Sequence, residues 1–173
     1  MSHTIVIYTD GSALGNPGPA GFAYLLINKK SNTVIEYGEH RDYATNNQME
    51  LWALLSAFKK LCSIEEKQHV IIHLDSEYVK NGISVWVKNW KKNGWKTAAK
   101  KPVLNKELWE KIDELYDQVK TMHDIDLKYV PGHAGFAGNE IVDTIARTLA
   151  GCGSWKFYNG DKEEYEKTRA IKV

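Results

Sequence analysis

Two spacings of apolar residues alternate along this chain. Thr4-Ile-Val-Ile-Tyr-Thr-Asp10 is a nearly continuous β-branched run that ends at Asp-Gly, which predicts a strand buried on both faces. A loop rich in glycine and proline follows over 11–21. Segments 22–28 and 33–40 then read as two strands joined by the polar turn Lys29-Lys30-Ser31-Asn32. The spacing changes at Leu51, Leu54, Leu55, Phe58 and Leu61, which predicts a helix capped by Thr45 or Asn46. A second apolar run over 69–75 again ends in aspartate, and Ser76 opens short helical stretches. Leu108, Ile112, Leu115 and Val119 mark an amphipathic helix over 106–122. A fifth strand is expected at 125–130, before Pro131-Gly132. Ile141, Val142, Ile145, Ala146 and Leu149 mark a last helix, stopped by Gly151 and Gly153. The expected order is β-β-β-α-β-α-α-α-β-α, an α/β fold with a five-stranded mixed sheet and helices on both faces.

The 173 residues, 43% hydrophobic and 26% charged, suit one globular domain. No apolar run approaches the ~20 residues that span a bilayer, and Met1-Ser2-His3-Thr4 carries no secretory pattern. Cys62 and Cys152 make neither a disulfide framework nor a zinc site by themselves. A cytoplasmic location is the expectation, with no membrane partner. Net charge, +1, is uninformative, but its distribution is not. From Tyr78 to Lys106 there is no acid, although acids make up 22 of the 173 residues. Lys80, Lys88, Lys91, Lys92, Lys96, Lys100, Lys101 and Lys106 lie there, interleaved with Trp86, Trp90 and Trp95. Lysines neutralise phosphates and indoles pack on sugars and bases. The alternative is a solvated helix face whose tryptophans anchor the core.

Asp10 and Asp75 each close an apolar run. The hairpin and helix between those runs make parallel neighbours of them, so both aspartates should emerge at the carboxyl edge of the sheet, where open α/β sheets place their sites. Glu50 precedes Leu54 and Phe58 by four and eight residues, which puts it in the first turn of its helix on the sheet-facing side. Asp143 belongs to the first turn or so of the final helix. Taken singly, each acid has an ordinary role in a turn or cap. Gathered at one spot they repel one another unless a cation intervenes. Carboxylates without His or Cys suit magnesium or manganese, and a pair of such ions can clamp a phosphodiester.

At these residues the chain resembles the cellular type 1 ribonuclease H family. Thr9-Asp10-Gly11-Ser12 with Gly15-Asn16-Pro17-Gly18-Pro19 is similar to the first family motif, Thr45-Asn46-Asn47-Gln48-Met49-Glu50 to the second, and Asp75-Ser76-Glu77-Tyr78-Val79 to the third. Asn89-Trp90-Lys91-Lys92-Asn93-Gly94-Trp95-Lys96 resembles its basic protrusion, and Gly132-His133-Ala134-Gly135 with Asn139-Glu140 and Asp143 its last motif. The resemblance covers roughly 4–150 and implies a ribonuclease H-like catalytic domain over 1–150, with 151–173 a tail that matches nothing in the family. It implies hydrolysis of the RNA strand of an RNA–DNA hybrid, leaving 5′-phosphate and 3′-hydroxyl ends. Two Mg2+ ions would be held by Asp10, Glu50, Asp75 and Asp143, with Mn2+ able to substitute, and His133 would shuttle a proton or aid product release. Asn16, Asn46, Asn47 and Gln48 match positions that read the minor groove and ribose 2′-hydroxyls. Thr45 and Asn105 match those that grip a DNA-strand phosphate. Trp86, Trp90, Lys91, Lys92, Trp95 and Lys96 match the protrusion that packs on the DNA strand. Glu77 stands where many relatives carry glutamine. The competing readings are a non-catalytic hybrid-binding module and another two-metal phosphodiester enzyme of the same fold. The complete acid set disfavours the first, and Asn46-Asn47-Gln48 with the protrusion disfavours the second. A monomer is expected, because the helices cover the small sheet.

Overall fold

A computed structural model describes residues 4–131 and 135–173. Its centre is β1 (Thr4–Ala13), which pairs in parallel with β4 (His69–Leu74) and antiparallel with β2 (Gly18–Asn28). Beyond β4 lies β5 (Asp124–Tyr129), parallel, and beyond β2 lies β3 (Thr33–Ala44), antiparallel. Both faces of β1 and β2 are buried over most of their length, which explains the unbroken apolar runs. On one face, α1 (Asn46–Cys62) and α4 (Lys106–Met122) bury Leu51, Leu54, Phe58, Trp109 and Ile112 against Ile5, Ile7 and Ile72. On the other face, α5 (Ala137–Ala150) lays Val142, Ile145 and Leu149 on Val6, Ala23 and Leu25.

Two expectations are corrected. Among the described residues the sheet has six strands, in the order β5-β4-β1-β2-β3-β6, because β6 (Asn159–Asp161) pairs antiparallel with Thr33, Val34 and Ile35. Asn-Gly-Asp has neither alternation nor β-branched residues, so its own sequence carries no strand signal. The segment 11–21 is mostly strand, since β1 runs on to Ala13 and β2 begins at Gly18. Those β1 residues pair only with β2, which is why they lack a core-strand pattern. The segment 154–173, whose order the sequence leaves open, folds onto the body: α6 (Lys162–Arg169) buries Tyr165 in the cluster that holds Val142, Ile145 and Leu149.

Between β4 and α4 the basic segment forms α2 (Glu77–Asn81), a π-helical turn (Gly82–Trp86) and α3 (Val87–Lys92). A Cβ on Gly82 would stand 2.0 Å from the Trp109 ring. The glycine therefore lets this stretch close onto α4.

Candidate active site

The parallel ladder between β1 and β4 ends at the pair Thr9–Leu74. Asp10 and Asp75 are the next residues on each strand, side by side at the carboxyl edge. Asp10 is nonetheless fixed by β2, opposite Ala23. Glu50 reaches them from α1, one residue past the first helical turn. Two local devices aim that helix. A capping box joins the Thr45 hydroxyl, which accepts from Gln48 N–H (3.2 Å), to the Gln48 side-chain oxygen Oε1, which accepts from Thr45 N–H (2.9 Å). Gly11 then lets the helix backbone ride on β1, since a Cβ there would meet Glu50 N at 2.4 Å.

Asp10, Glu50 and Asp75 each offer an oxygen within 4.8 Å of the others. Asp10 is 6% exposed, and its Oδ1 accepts from Gly11 N–H at 2.8 Å. Burial, then the Asp75 charge, pushes the Asp10 carboxyl up to about 7, against the pull of hydrogen bonds from Glu50 and Gly11. Burial beside Asp10 and Asp75 likewise raises Glu50 well above the usual carboxylate range. Without a cation, burial and mutual repulsion therefore favour the protonated form of both Asp10 and Glu50. The donor set is hard oxygen, compact and short of positive charge, which fits a divalent ion. Asp143 stands apart from the three, in the second turn of α5. It is near enough to raise Asp10 further, but its Oδ2 accepts from Arg147 Nη1 at 3.2 Å. His133 lies outside the described residues.

The other candidates divide between the groove beside the acids and the basic protrusion. Asn46 Oδ1 accepts from Ala13 N–H (2.6 Å), and Asn16 Oδ1 accepts from Asn46 N–H (2.9 Å), which ties the 14–17 turn to the start of α1. Asn47 and Gln48 are partly buried beside them, and Glu77 is exposed at the start of α2. Asn105 adopts a left-handed conformation (φ 58°), and its Nδ2 donates to the Tyr78 hydroxyl at 3.2 Å. Trp109 Nε1 donates to the same oxygen at 3.0 Å. Trp86, Trp90 and Trp95 pack in sequence, with centroids 5.8 and 6.2 Å apart, and Trp90 also meets Trp109 at 5.8 Å. The three rings are half-buried, so they anchor the protrusion as well as line it. Lys92 and Lys96 are exposed. Lys91 instead reaches Asp113 of α4 at 2.7 Å.

The sequence model of the RNase H family matches residues 2–150. The chain belongs to that family. A Ribonuclease H from Pseudoalteromonas atlantica is 48% identical over 151 residues, spanning 87% of this chain and 92% of the relative. The crystal structure of LC9-RNase H1, a type 1 RNase H with the type 2 active-site motif, superposes with a TM-score of 0.77 at 27% identity, over 98% of this chain and 85% of that one. LC11-RNase H1, solved in complex with RNA/DNA hybrid, superposes at 0.58 with 27% identity, over 81% of this chain and 94% of that one. The protein is thus a type 1 ribonuclease H, a metal-dependent endonuclease that acts on RNA–DNA hybrids. No helix among the described residues is long and apolar enough to cross a membrane.

Asn139, quoted above only as part of the last motif, takes a place in this ribonuclease H site that the sequence did not assign it. Asn139 is 5% exposed on the first turn of α5, and its Nδ2 donates to Asp75 Oδ2 at 3.4 Å. Gly138 brings it there, for a Cβ at 138 would stand 2.3 Å from the Tyr8 ring.

Proposed function

We propose that Asp10, Glu50, Asp75 and Asp143 hold two Mg2+ ions, and that the RNA strand of the hybrid is cut to 5′-phosphate and 3′-hydroxyl ends. The observation that carries this is the convergence of three carboxylates within 4.8 Å at the edge of the sheet, in a setting that pushes Asp10 up to about 7. Bound divalent ions would supply charge that stabilises the attacking and leaving oxygens, and Mn2+ has the same preference for oxygen donors. Asp10, central among the acids, is the bridging ligand. Glu50 and Asp75 complete one site and Asp143 the other. The Arg147 hydrogen bond engages only Oδ2 of Asp143, which leaves Oδ1 to do so.

The rest of the chain positions the hybrid. Asn16, Asn46, Asn47 and Gln48 face the minor groove and select the ribose through its 2′-hydroxyls. The Gln48 side-chain oxygen is occupied by the cap, so its amide N–H groups are the ones that serve the substrate. Thr45 and Asn105 hold a phosphate of the DNA strand, while Trp86, Trp90, Trp95, Lys92 and Lys96 carry the strand beyond it. Glu77 adds a negative charge beside the acids, and Lys91 contributes chiefly by bracing the protrusion. His133 moves a proton or eases product departure. The catalytic unit is 1–150, and 151–173 supports it.

The test pairs substrates with a variant. With magnesium, labelled hybrid should be cleaved while RNA duplex and DNA duplex survive. Asp10→Asn should bind hybrid within a few-fold of wild type yet lose cleavage. Activity of Asp10→Asn within about tenfold of wild type would remove Asp10 as the bridging ligand.

A further inference from the structure

Two aromatic side chains and an imidazole stack directly beneath the acids. Tyr8 and His73 are partners across the parallel ladder of β1 and β4. Their rings lie nearly parallel, 12° apart with centroids at 4.6 Å. Phe136 continues the stack, its centroid 5.9 Å from that of His73 at 29°, within the range of offset ring packing. Tyr8 precedes Asp10 by two residues, and His73 precedes Asp75 by two. The stack is therefore the layer next below the carboxyl edge, roughly 7 Å down each strand.

The outermost ring belongs to the start of α5. Phe136 is the N-cap residue of that helix, and no side-chain hydrogen bond caps it. A phenyl ring cannot accept from the free N–H groups as Ser, Thr, Asp or Asn does there. The Phe136 carbonyl accepts from Asn139 N–H at 3.0 Å and from Glu140 N–H at 3.1 Å, so the ring and the first turn are tied together. Val142, Ile145 and Leu149 hold the later turns on the sheet. The first turn is left to the rings and to the 3.4 Å bond from Asn139 to Asp75. Asp143 follows Asn139 by four residues and shares its face of the helix. How high the first turn rides above the strands thus sets how far Asp143 stands from Asp10. His73 Nδ1 is buried and meets no hydrogen-bond partner among the described residues, so the imidazole acts through its flat ring.

We propose that the Tyr8–His73–Phe136 stack is a positioning device, in which His73 carries the first turn of α5 at the height that lets Asp143 share a divalent ion with Asp10, given Asp143 as a ligand of the second ion.

Hydrogen exchange and kinetics together test the stack. In the metal-free protein, His73→Ala should speed exchange of the Asn139 and Glu140 amides by about tenfold or more, while Ile145 and Leu149 keep wild-type rates. With magnesium present, the same variant should lose kcat and need more magnesium for half-saturation, each by about 10- to 100-fold. Its KM for hybrid should stay near wild type. His73→Phe keeps a flat ring and should restore exchange, kcat and magnesium dependence. Phe136→Ala removes a ring already 44% exposed, spares the core, and should follow His73→Ala in direction. Wild-type exchange in both alanine variants, exchange that rises equally along all of α5, or failure of His73→Phe to restore the wild-type values would each overturn the proposal. Wild-type magnesium dependence in Asp143→Asn would remove Asp143 as a ligand, and the positioning role with it. An altered dependence in Asp143→Asn beside a wild-type one in His73→Ala would overturn the stack alone.

Discussion

Asp10 has an electrostatic consequence that needs no substrate to measure. Its carboxyl titrates at about 7 in the folded, metal-free protein, against an ordinary value of 3.8. Below pH ~4 both folded and unfolded chains carry the proton, and the group is neutral toward stability. As pH rises the unfolded chain ionises first, so stability falls until the folded carboxyl ionises near 7. Three units correspond to a loss on the order of 4 kcal/mol. In metal-free buffer, Asp10→Asn should therefore exceed wild type in stability at about pH 8, with the gap closing toward pH 4. Magnesium should raise the melting temperature of wild type more at about pH 8 than at pH 5, because ions there need not displace protons. Urea or thermal melts at the two pH values measure both effects. A pH-independent gap between the proteins would contradict the charge crowding. The acids themselves were legible in the sequence, since two close apolar runs and the others sit at fixed helical offsets. The raised pKa of Asp10 and Glu50 was not, because it depends on how closely Gly11 lets α1 approach.

The protrusion is the element whose lysines and tryptophans looked most alike in sequence and differ most in the fold. Lys91 lies 2.7 Å from Asp113 and 3.8 Å from Asp117, both on α4, and so braces α3 against it. Among the described residues neither Lys92 nor Lys96 has an ion-pair partner. A lysine that already neutralises an aspartate releases fewer counterions when a phosphate arrives. Lys92→Ala and Lys96→Ala should each reduce the slope of log K against log salt by up to about 0.9. Lys91→Ala should reduce it less. Filter binding or anisotropy across a salt series decides the matter, and equal slope losses at all three would show that the Lys91 strut opens on binding. Sequence revealed that this stretch was basic and helical. It did not show the π-helical turn, because the Gly82–Trp109 contact that favours it joins residues 27 positions apart.

On the scale of the whole molecule, Glu36 joins the C-terminal segment to the sheet. Its buried carboxylate, 3% exposed, accepts from Trp155 Nε1, Tyr158 N–H and the Tyr165 hydroxyl, each at 3.0 Å. Arg169 adds Nε at 3.0 Å and Nη2 at 2.5 Å. Removing one member of such a buried group costs roughly 3–5 kcal/mol, since the others lose their partner. Glu36→Ala should lose about that much in urea denaturation, while cleavage at low temperature stays near wild type because the carboxylates lie elsewhere. Full stability in Glu36→Ala would mean that the segment docks through Tyr165 packing alone. The signal lay in the sequence: Val34 and Glu36 share a face of their strand, and a charge beside a core valine needs partners. Those partners lie more than 100 residues away, beyond the reach of any local pattern. That separation also sets a timetable for synthesis. When Ala44 leaves the ribosome, the residues that will cover the outer edge of β3 are still untranslated. At about 5–20 residues per second they follow roughly 6–25 s later. In that interval the nascent chain offers an unpaired strand edge and a bare carboxylate, and only the much later segment 155–169 closes them.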